Sequence, residues 1–252
     1  MYEIMKKFEF TGETKTINLL FGTATLHRIR AVAKFGFVEI GELGGWIEKE
    51  ENLSHEENAW VYGDAKVYGN AKVYGNAEVR DKAEVCGNAI VYGNAKVGED
   101  AKVYGKAGVY GNAEVCGNAK VWEDAKVYVN AKVYSNAEVY SNAKVYGNAK
   151  VYGNAEVCGK AEVCGKAEVF STRHVLVIGT IGSQDDFATF YRDKDNEITV
   201  KCGYFLDKID KFLEKVTETH GDSNYALVCR AAVEAARLQI DLSNEVTKDA
   251  DE

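Results

Sequence analysis

Proline is absent from all 252 residues, where average usage would be about 5%. A chain whose strands pair on both sides has little room for a residue without an N–H. Other absences narrow the field further. No run of about 18 apolar residues occurs, so a membrane-spanning helix is not expected. The opening stretch, MYEIMKKFEF, lacks the apolar core of a signal peptide. The six cysteines, Cys86, Cys116, Cys158, Cys164, Cys202 and Cys229, show no CxxC spacing, so no zinc or other metal site is expected. Without a secretion signal they read as free thiols in a reducing cytosol.

A basic stripe is also missing. The net charge is −8, with 14 basic and 13 acidic residues in 60–169, 7 and 10 in 1–59, and 10 and 16 in 170–252. Such a distribution offers no continuous track for phosphates, and nucleic acid is not expected as a partner. A content of 46% apolar and 28% charged residues fits a folded soluble chain.

What dominates is an internal repeat. From Ala59 to Val169 the unit A-x-V recurs every six residues, 19 times without interruption, and the full unit reads N-A-K/E-V-Y-G. Side chains alternate along a strand, so Ala and Val share one face while Lys/Glu and Tyr share the other. The G-N that follows, or E-D, G-K or S-N, is turn chemistry, because Gly and Asn tolerate positive φ. Four strand residues and two corner residues, repeated, make a coil.

This pattern resembles the left-handed parallel β-helix of hexapeptide-repeat proteins, in which three hexapeptides form one triangular turn. Inward positions of that family, one aliphatic and one small, match Val and Ala here. The family often has a small residue directly after the aliphatic one, whereas this chain has Tyr there and Gly one place later. The resemblance implies about six triangular coils, on the order of 30 Å long at roughly 4.8 Å per coil. Each buried Val contributes roughly 1.5–3 kcal/mol, and stability comes from stacking neighbours.

A period of three units sorts the residues after each Val into three stripes. The first reads Tyr62, Arg80, Gly98, Cys116, Tyr134, Tyr152, Phe170; the second Tyr68, Cys86, Tyr104, Trp122, Tyr140, Cys158. The third reads Tyr74, Tyr92, Tyr110, Tyr128, Tyr146, Cys164 and is the most regular. Before Val on that stripe stand Lys72, Ile90, Gly108, Lys126, Lys144 and Glu162, and Ile90 and Gly108 interrupt the Lys/Glu pattern. Uncharged residues beside stacked tyrosines suggest a contact surface. Tyr74, Tyr92, Tyr110, Tyr128, Tyr146 and Ile90 are therefore the candidate interface, for a homo-oligomer (dimer or trimer) or another protein. The alternative is that an aromatic ladder simply favours strand pairing.

Many proteins of the resembled family are acyltransferases with a histidine base, and some are carbonic anhydrases with three histidines on zinc. Here His27, His55, His174 and His220 all lie outside the 19 units. No catalytic residue, cofactor or enzymatic activity is expected, since a base must exchange protons near pH 7.

Residues 1–58 read as an N-terminal β cap, with Leu43, Trp46, Ile47 and Leu53 expected to cover the first turn. The runs LHRIRA, LGGWIEKEENLSHE and NAWVYGDAKVYGNAKVYGNA look like hexapeptide-repeat proteins of bacteriophages and prophages of Gram-positive bacteria, often labelled polymer-forming or cytoskeletal. That likeness covers about residues 25–170 and implies a non-secreted protein, cytoplasmic in a bacterial host cell.

Residues 59–170 are then the β-helix, 171–241 a small α+β domain, and 242–252 an acidic tail. The runs HVLVIGTIG, FATFYR and EITVKCGYF predict three strands. Apolar spacing predicts helices near Leu206–Thr219 and Asn224–Ile240. This domain holds the varied polar residues, and Ser183, Gln184, Asp185, Tyr191 and Arg192 are the ligand-binding candidates, with Asp186, Thr189, Cys202 and His220 nearby in sequence. The turn from Gly179 to Ser183 could offer N–H groups to an anion. His220 before Gly221 reads as the end of a helix.

The expected function is a non-enzymatic binding or scaffold protein that oligomerises through the β-helix and engages a host factor, with inhibition of host defence as the sharper version. Alternatives are an acyltransferase using His55 or His174 across a subunit seam, or a small-molecule-sequestering protein. Nucleic-acid mimicry is disfavoured by the balanced charge, and a fibre by the dissimilar ends.

Overall fold

The computed structural model describes residues 6–243; most of the acidic tail, 244–252, lies outside the described residues. The chain is mainly β. It opens with a hairpin of β1 (Phe8–Asn18) and β2 (Thr23–Ala31), and β3 (Leu43–Ile47) follows. Nineteen two-residue strands come next, one per repeat unit, from β4 (Trp60–Val61) to β22 (Glu168–Val169). The head consists of β23 (Val175–Ile181), β24 (Asp186–Arg192), β25 (Ile198–Cys202), β26 (Phe205–Lys208), α1 (Ile209–His220) and α2 (Asn224–Gln239). Among the described residues no helix is long and apolar enough to cross a membrane.

The two-residue strands stack into a parallel β-solenoid with three faces. Every third strand pairs: β4-β7-β10-β13-β16-β19-β22 on the first face, β3-β5-β8-β11-β14-β17-β20 on the second, β6-β9-β12-β15-β18-β21 on the third. These faces carry the three stripes in the order read from the sequence. Partners stand three repeat units apart, as in Val61↔Val79 and Val73↔Val91. The backbone N–H of Lys66 donates to the Ala83 carbonyl at 2.9 Å and that of Tyr68 to Val85 at 3.0 Å, so each coil is bonded to the next. Ala and Val of all 19 units are at most 1% exposed; they fill a dry shaft.

At each corner the second residue after Val takes positive φ, +69° at Gly69 and +70° at Gly87. Stacking favours glycine as well as the dihedral, because a Cβ on Gly69 would sit 3.1 Å from the Gly87 nitrogen, although six corners, Asp81 and Val129 among them, carry another residue.

The solenoid begins one coil before the repeat, giving about seven coils rather than six. Trp46 and Ile47 pair in parallel with Lys66 and Val67, and Leu53 bridges Val73. The step from Ile47 to its partner Val67 exceeds the repeat's own step, because the corner between Leu53 and Val61 is longer than those that follow. The A-x-V pattern hides this coil: Gly45 replaces Ala, Ile47 and Leu53 replace Val. A Cβ on Gly45 would lie 2.6 Å from the Ala65 carbonyl oxygen. Asn52, fully buried, donates through Nδ2 to the carbonyls of Gly69 (3.1 Å) and Ala71 (2.8 Å). Ile47 and Leu53 are thus solenoid core rather than lid, Trp46 stands at the outward position opposite Lys66 with Lys15 and Arg28 against its ring, and Leu43 is half exposed.

The lid is the β1–β2 hairpin with Phe8, Ile29, Ala31 and Val38 packed over Trp60. Lys7 is 4% exposed and plugs the first coil. Its Nζ donates to the Ala59 carbonyl at 2.8 Å and lies 4.8 Å from the Phe35 ring centroid, and burial brings its pKa down to about 8.

In the head, β23-β24-β25-β26 form an antiparallel sheet covered by both helices around Phe190, Val200, Phe212, Val216 and Val233. EITVKCGYF, expected as one strand, is two. Gly203 at φ +53° turns the chain so that Cys202 faces Phe205. Leu206, expected to open α1, therefore pairs with Lys201 in β26. His220 ends α1, and Gly221 caps it by donating its N–H to the Thr217 carbonyl.

Candidate functional site

On the third face Tyr74, Tyr92, Tyr110, Tyr128 and Tyr146 form an unbroken stack. Successive ring centroids are 5.0, 4.9, 5.0 and 4.9 Å apart, with planes within 13°. The spacing follows from strand separation, which sets equivalent rings face to face. Other faces stack too, as in Tyr104–Trp122–Tyr140 and Tyr134–Tyr152, but not across five coils. Tyr74 and Ile90 are exposed and the other four tyrosines half-buried. Burial pushes the Tyr128 phenol up to about 12, so it stays neutral and able to donate a hydrogen bond.

One edge of this face is an asparagine ladder. Asn58, Asn76, Asn94, Asn112, Asn130 and Asn148 are joined amide to amide at 2.9–3.2 Å. The wall is rigid, flat and mostly neutral in its upper coils, with Ile90 above Gly108. It can bind by burial and phenol hydrogen bonding.

The ligand-binding candidates of the head divide into two groups. Ser183 and Gln184, with Asp186, Cys202 and His220, line a cavity of about 140 Å³ beside Phe212 and Cys229. Asp185, at φ +52°, is exposed on the same turn. Tyr191 and Arg192 are elsewhere: only 0% and 5% exposed, they face the last coil. The Tyr191 hydroxyl and the Cys164 sulfur are 3.4 Å apart. The Arg192 guanidinium lies 4.7 Å from the Phe170 ring centroid and donates to the Glu168 carbonyl at 3.4 Å. β24 alternates its faces, so Phe190 enters the head core while Tyr191 joins the solenoid core. These two residues fasten the head to the rod rather than joining the Ser183 cavity.

Sequence reading did not single out Asp193, which completes this junction. It is 4% exposed and accepts from the N–H of Asp195 (2.9 Å), the N–H of Glu197 (3.2 Å) and the Thr199 hydroxyl (2.8 Å), and it pairs with Lys208. Lys208 and these donors hold its carboxyl below the usual aspartate range, against the opposing effect of burial. A D-K-D-N turn between strands was the available signal.

Two of the histidines, His55 and His174, occupy packing positions. His55 stacks on Phe8 at 4.2 Å, its Nδ1 accepts the Lys7 N–H at 3.2 Å, and burial lowers its pKa. His174 is 3% exposed, with Nδ1 accepting the Phe170 N–H at 3.3 Å. Burial and the Arg192 charge bring it to about 4. Burial pushes the Cys202 thiol up to about 11, with the charge of Asp186 adding to the effect, away from thiolate reactivity. Among the described residues no group of three His, Cys, Asp or Glu is gathered as for a metal ion.

A second feature passed over in the sequence is a lysine-lined cleft where the third face meets the head. It holds Lys106, Lys126, Lys144, Lys160 and Lys201. Its sequence signal was the loss of Asn from the corner that precedes this face, where Lys106, Asp124 and Lys160 replace it.

No protein-family model matches this chain. No curated protein sequence matches it either.

Proposed function

We propose that the protein is a non-enzymatic binding scaffold: the solenoid is a stiff rod that self-associates through its third face, and the head engages a second protein. The observation that carries this reading is the five-tyrosine stack, longer than the stacks of the other two faces, beside Ile90 and Gly108 where Lys or Glu is usual. Large apolar bodies with one polar tip suit interfaces. The likeness to phage and prophage repeat proteins adds a context, the cytoplasm of a bacterial host. With it comes a host factor, such as a defence component, as the second protein.

The test uses the repeat against itself. Ile90→Lys with Gly108→Lys restores the residue common at that position, so the coil is retained while the strip becomes cationic. Light scattering is expected to give a dimer or trimer mass for the parent chain and a protomer mass for the double variant. A parent chain that is monomeric at tens of micromolar removes the self-association reading.

The acyltransferase alternative has little support, since His55 and His174 already use Nδ1 as backbone acceptors and burial disfavours their charged forms. The small-molecule reading has one specific observation in its favour, the lysine cleft.

A further inference from the structure

We infer that the cleft between the third face and the head is a binding site for a compact polyanion of the di- or triphosphate class. The cleft is about 560 Å³, within the range of roughly 300–1,000 Å³ typical of ligand sites. Its floor is solenoid, with Lys106, Lys126, Lys144 and Lys160; its roof is the end of the β24–β25 pair, with Phe187 and Lys201.

The charge is unbalanced. Five lysines face three carboxylates, Asp124, Glu162 and Asp186, which leaves +2 in a chain of net −8. Glu162 is shared, 2.7 Å from the Lys144 ammonium and 3.6 Å from that of Lys201. Lys126 stands between Gly108 and Lys144 on adjacent strands, so neither neighbouring coil offers it a carboxylate. Among the described residues Lys106 and Lys126 make no hydrogen bond or ion pair, and the Lys160 ammonium rests 4.5 Å from the Phe187 ring centroid. Three ammonium groups therefore line one cleft without a carboxylate ion pair. Like charges lining one cleft raise the local concentration of anions there.

Departures from the repeat concentrate at the same place. The corner on the far edge of the third face keeps Asn from Asn58 to Asn148, each bonded to the next. On the near edge, among the described residues, the ladder has one such bond, Asn70 to Asn88. There the corners become Gly105-Lys106, Glu123-Asp124, Ser141-Asn142 and Gly159-Lys160. At two of these four corners a projecting cation, Lys106 or Lys160, stands where the repeat has Asn.

The ligand class follows from the donors. Lysine is a compact point charge that binds phosphate oxygens without fixed geometry. Coils are about 4.8 Å apart, so lysines on neighbouring coils match linked phosphates better than a single one. A nucleic-acid strand would need a longer basic track, which the rest of the rod, at near-neutral balance, lacks. The site lies within one protomer and does not depend on self-association.

The experiment is calorimetric titration of the full chain with inorganic pyrophosphate and with tripolyphosphate, at low and at physiological salt. Saturable one-to-one binding that weakens as salt rises is expected. Lys106→Glu with Lys126→Glu should weaken it at least ~10-fold, and Lys160→Gln alone should weaken it several-fold. A control pair with the same charge change on other faces, Lys82→Glu with Lys96→Glu, should leave affinity within about twofold. Unchanged thermal melting verifies that each variant is folded. No saturable binding of either probe below about 1 mM, or equal weakening by the control pair, overturns the inference.

Discussion

At the residue scale, the shaft depends on two small choices made in every repeat unit: alanine where the wall is tight, valine where it can be filled. Roughly 1.5–3 kcal/mol per buried Val recurs in every strand, and no single position is decisive. The sensitive residues are singular ones, and His174 is the clearest. Its imidazole is neutral in the fold, held to about 4 by burial and by Arg192, with Asp241 opposing, whereas an unfolded chain titrates near 6.5. Between those values the unfolded chain binds the extra proton, so acid favours unfolding. Stability from this group is complete above about pH 6.5 and declines as pH falls toward 4, by on the order of 2 kcal/mol. Urea midpoints measured from pH 7 to 4.5 should fall for the parent chain and fall less for His174→Asn, which keeps an acceptor for the Phe170 N–H. Parallel pH profiles for the two proteins would sink the claim. Nothing in the sequence marked His174 as buried, because its burial comes from Phe170 and the head closing over it.

At the element scale, each coil is three strands and three corners, and the corners carry the strain. Most use Gly at positive φ, but Val129 takes φ +65° while 45% exposed. A β-branched residue there is costly, and its exposed side chain returns little burial. Glycine relieves that strain and loses some entropy advantage in the unfolded chain. Val129→Gly is therefore expected to raise stability by ~0.5–1 kcal/mol, seen as a higher urea midpoint at unchanged slope; a lower midpoint contradicts the strain.

Elements with a period were legible in the sequence: the solenoid strands, their three faces, and α2 but for its final residue. Where the period lapsed, legibility lapsed too. The first coil went unread because Gly45, Ile47 and Leu53 satisfy its packing without spelling A-x-V. The β25–β26 hairpin read as one strand because a single Gly203 reverses the chain. Tyr191 and Arg192 looked like a polar site beside Ser183, but they lie further along β24, where the strand crosses the last coil and leaves the Ser183 turn behind.

For the whole molecule, the repeat predicts modularity. Deleting residues 77–94 joins Asn76 to Ala95 and removes one full coil, leaving the lid, the junction and the lysine cleft intact. The product should fold cooperatively, with reduced stability and a length shorter by about 4.8 Å in solution scattering. Deleting only 77–82 should also fold, but with the head turned by one face relative to the lid. An aggregated product from the full-coil deletion would refute nearest-neighbour stacking as the source of stability. Charge at this scale was misleading in one dimension. A balance of +1 over residues 60–169 concealed a cluster that forms only when corners three units apart stack and Lys201 arrives from the head.

The coil-to-coil hydrogen bonding has a mechanical side. A rod pulled along its axis cannot stretch by shearing one long strand pair, because every repeat strand is short and pairs only with its neighbours above and below. It has to unwind from an end, coil by coil. Each coil set free supplies three hexapeptides of chain, about 60 Å when extended, in exchange for about 5 Å of rod. With the hairpin and Lys7 sealing one end and Tyr191, Arg192 and Asp193 the other, the seals set the force at which unwinding begins, and the valines set the evenness with which it proceeds.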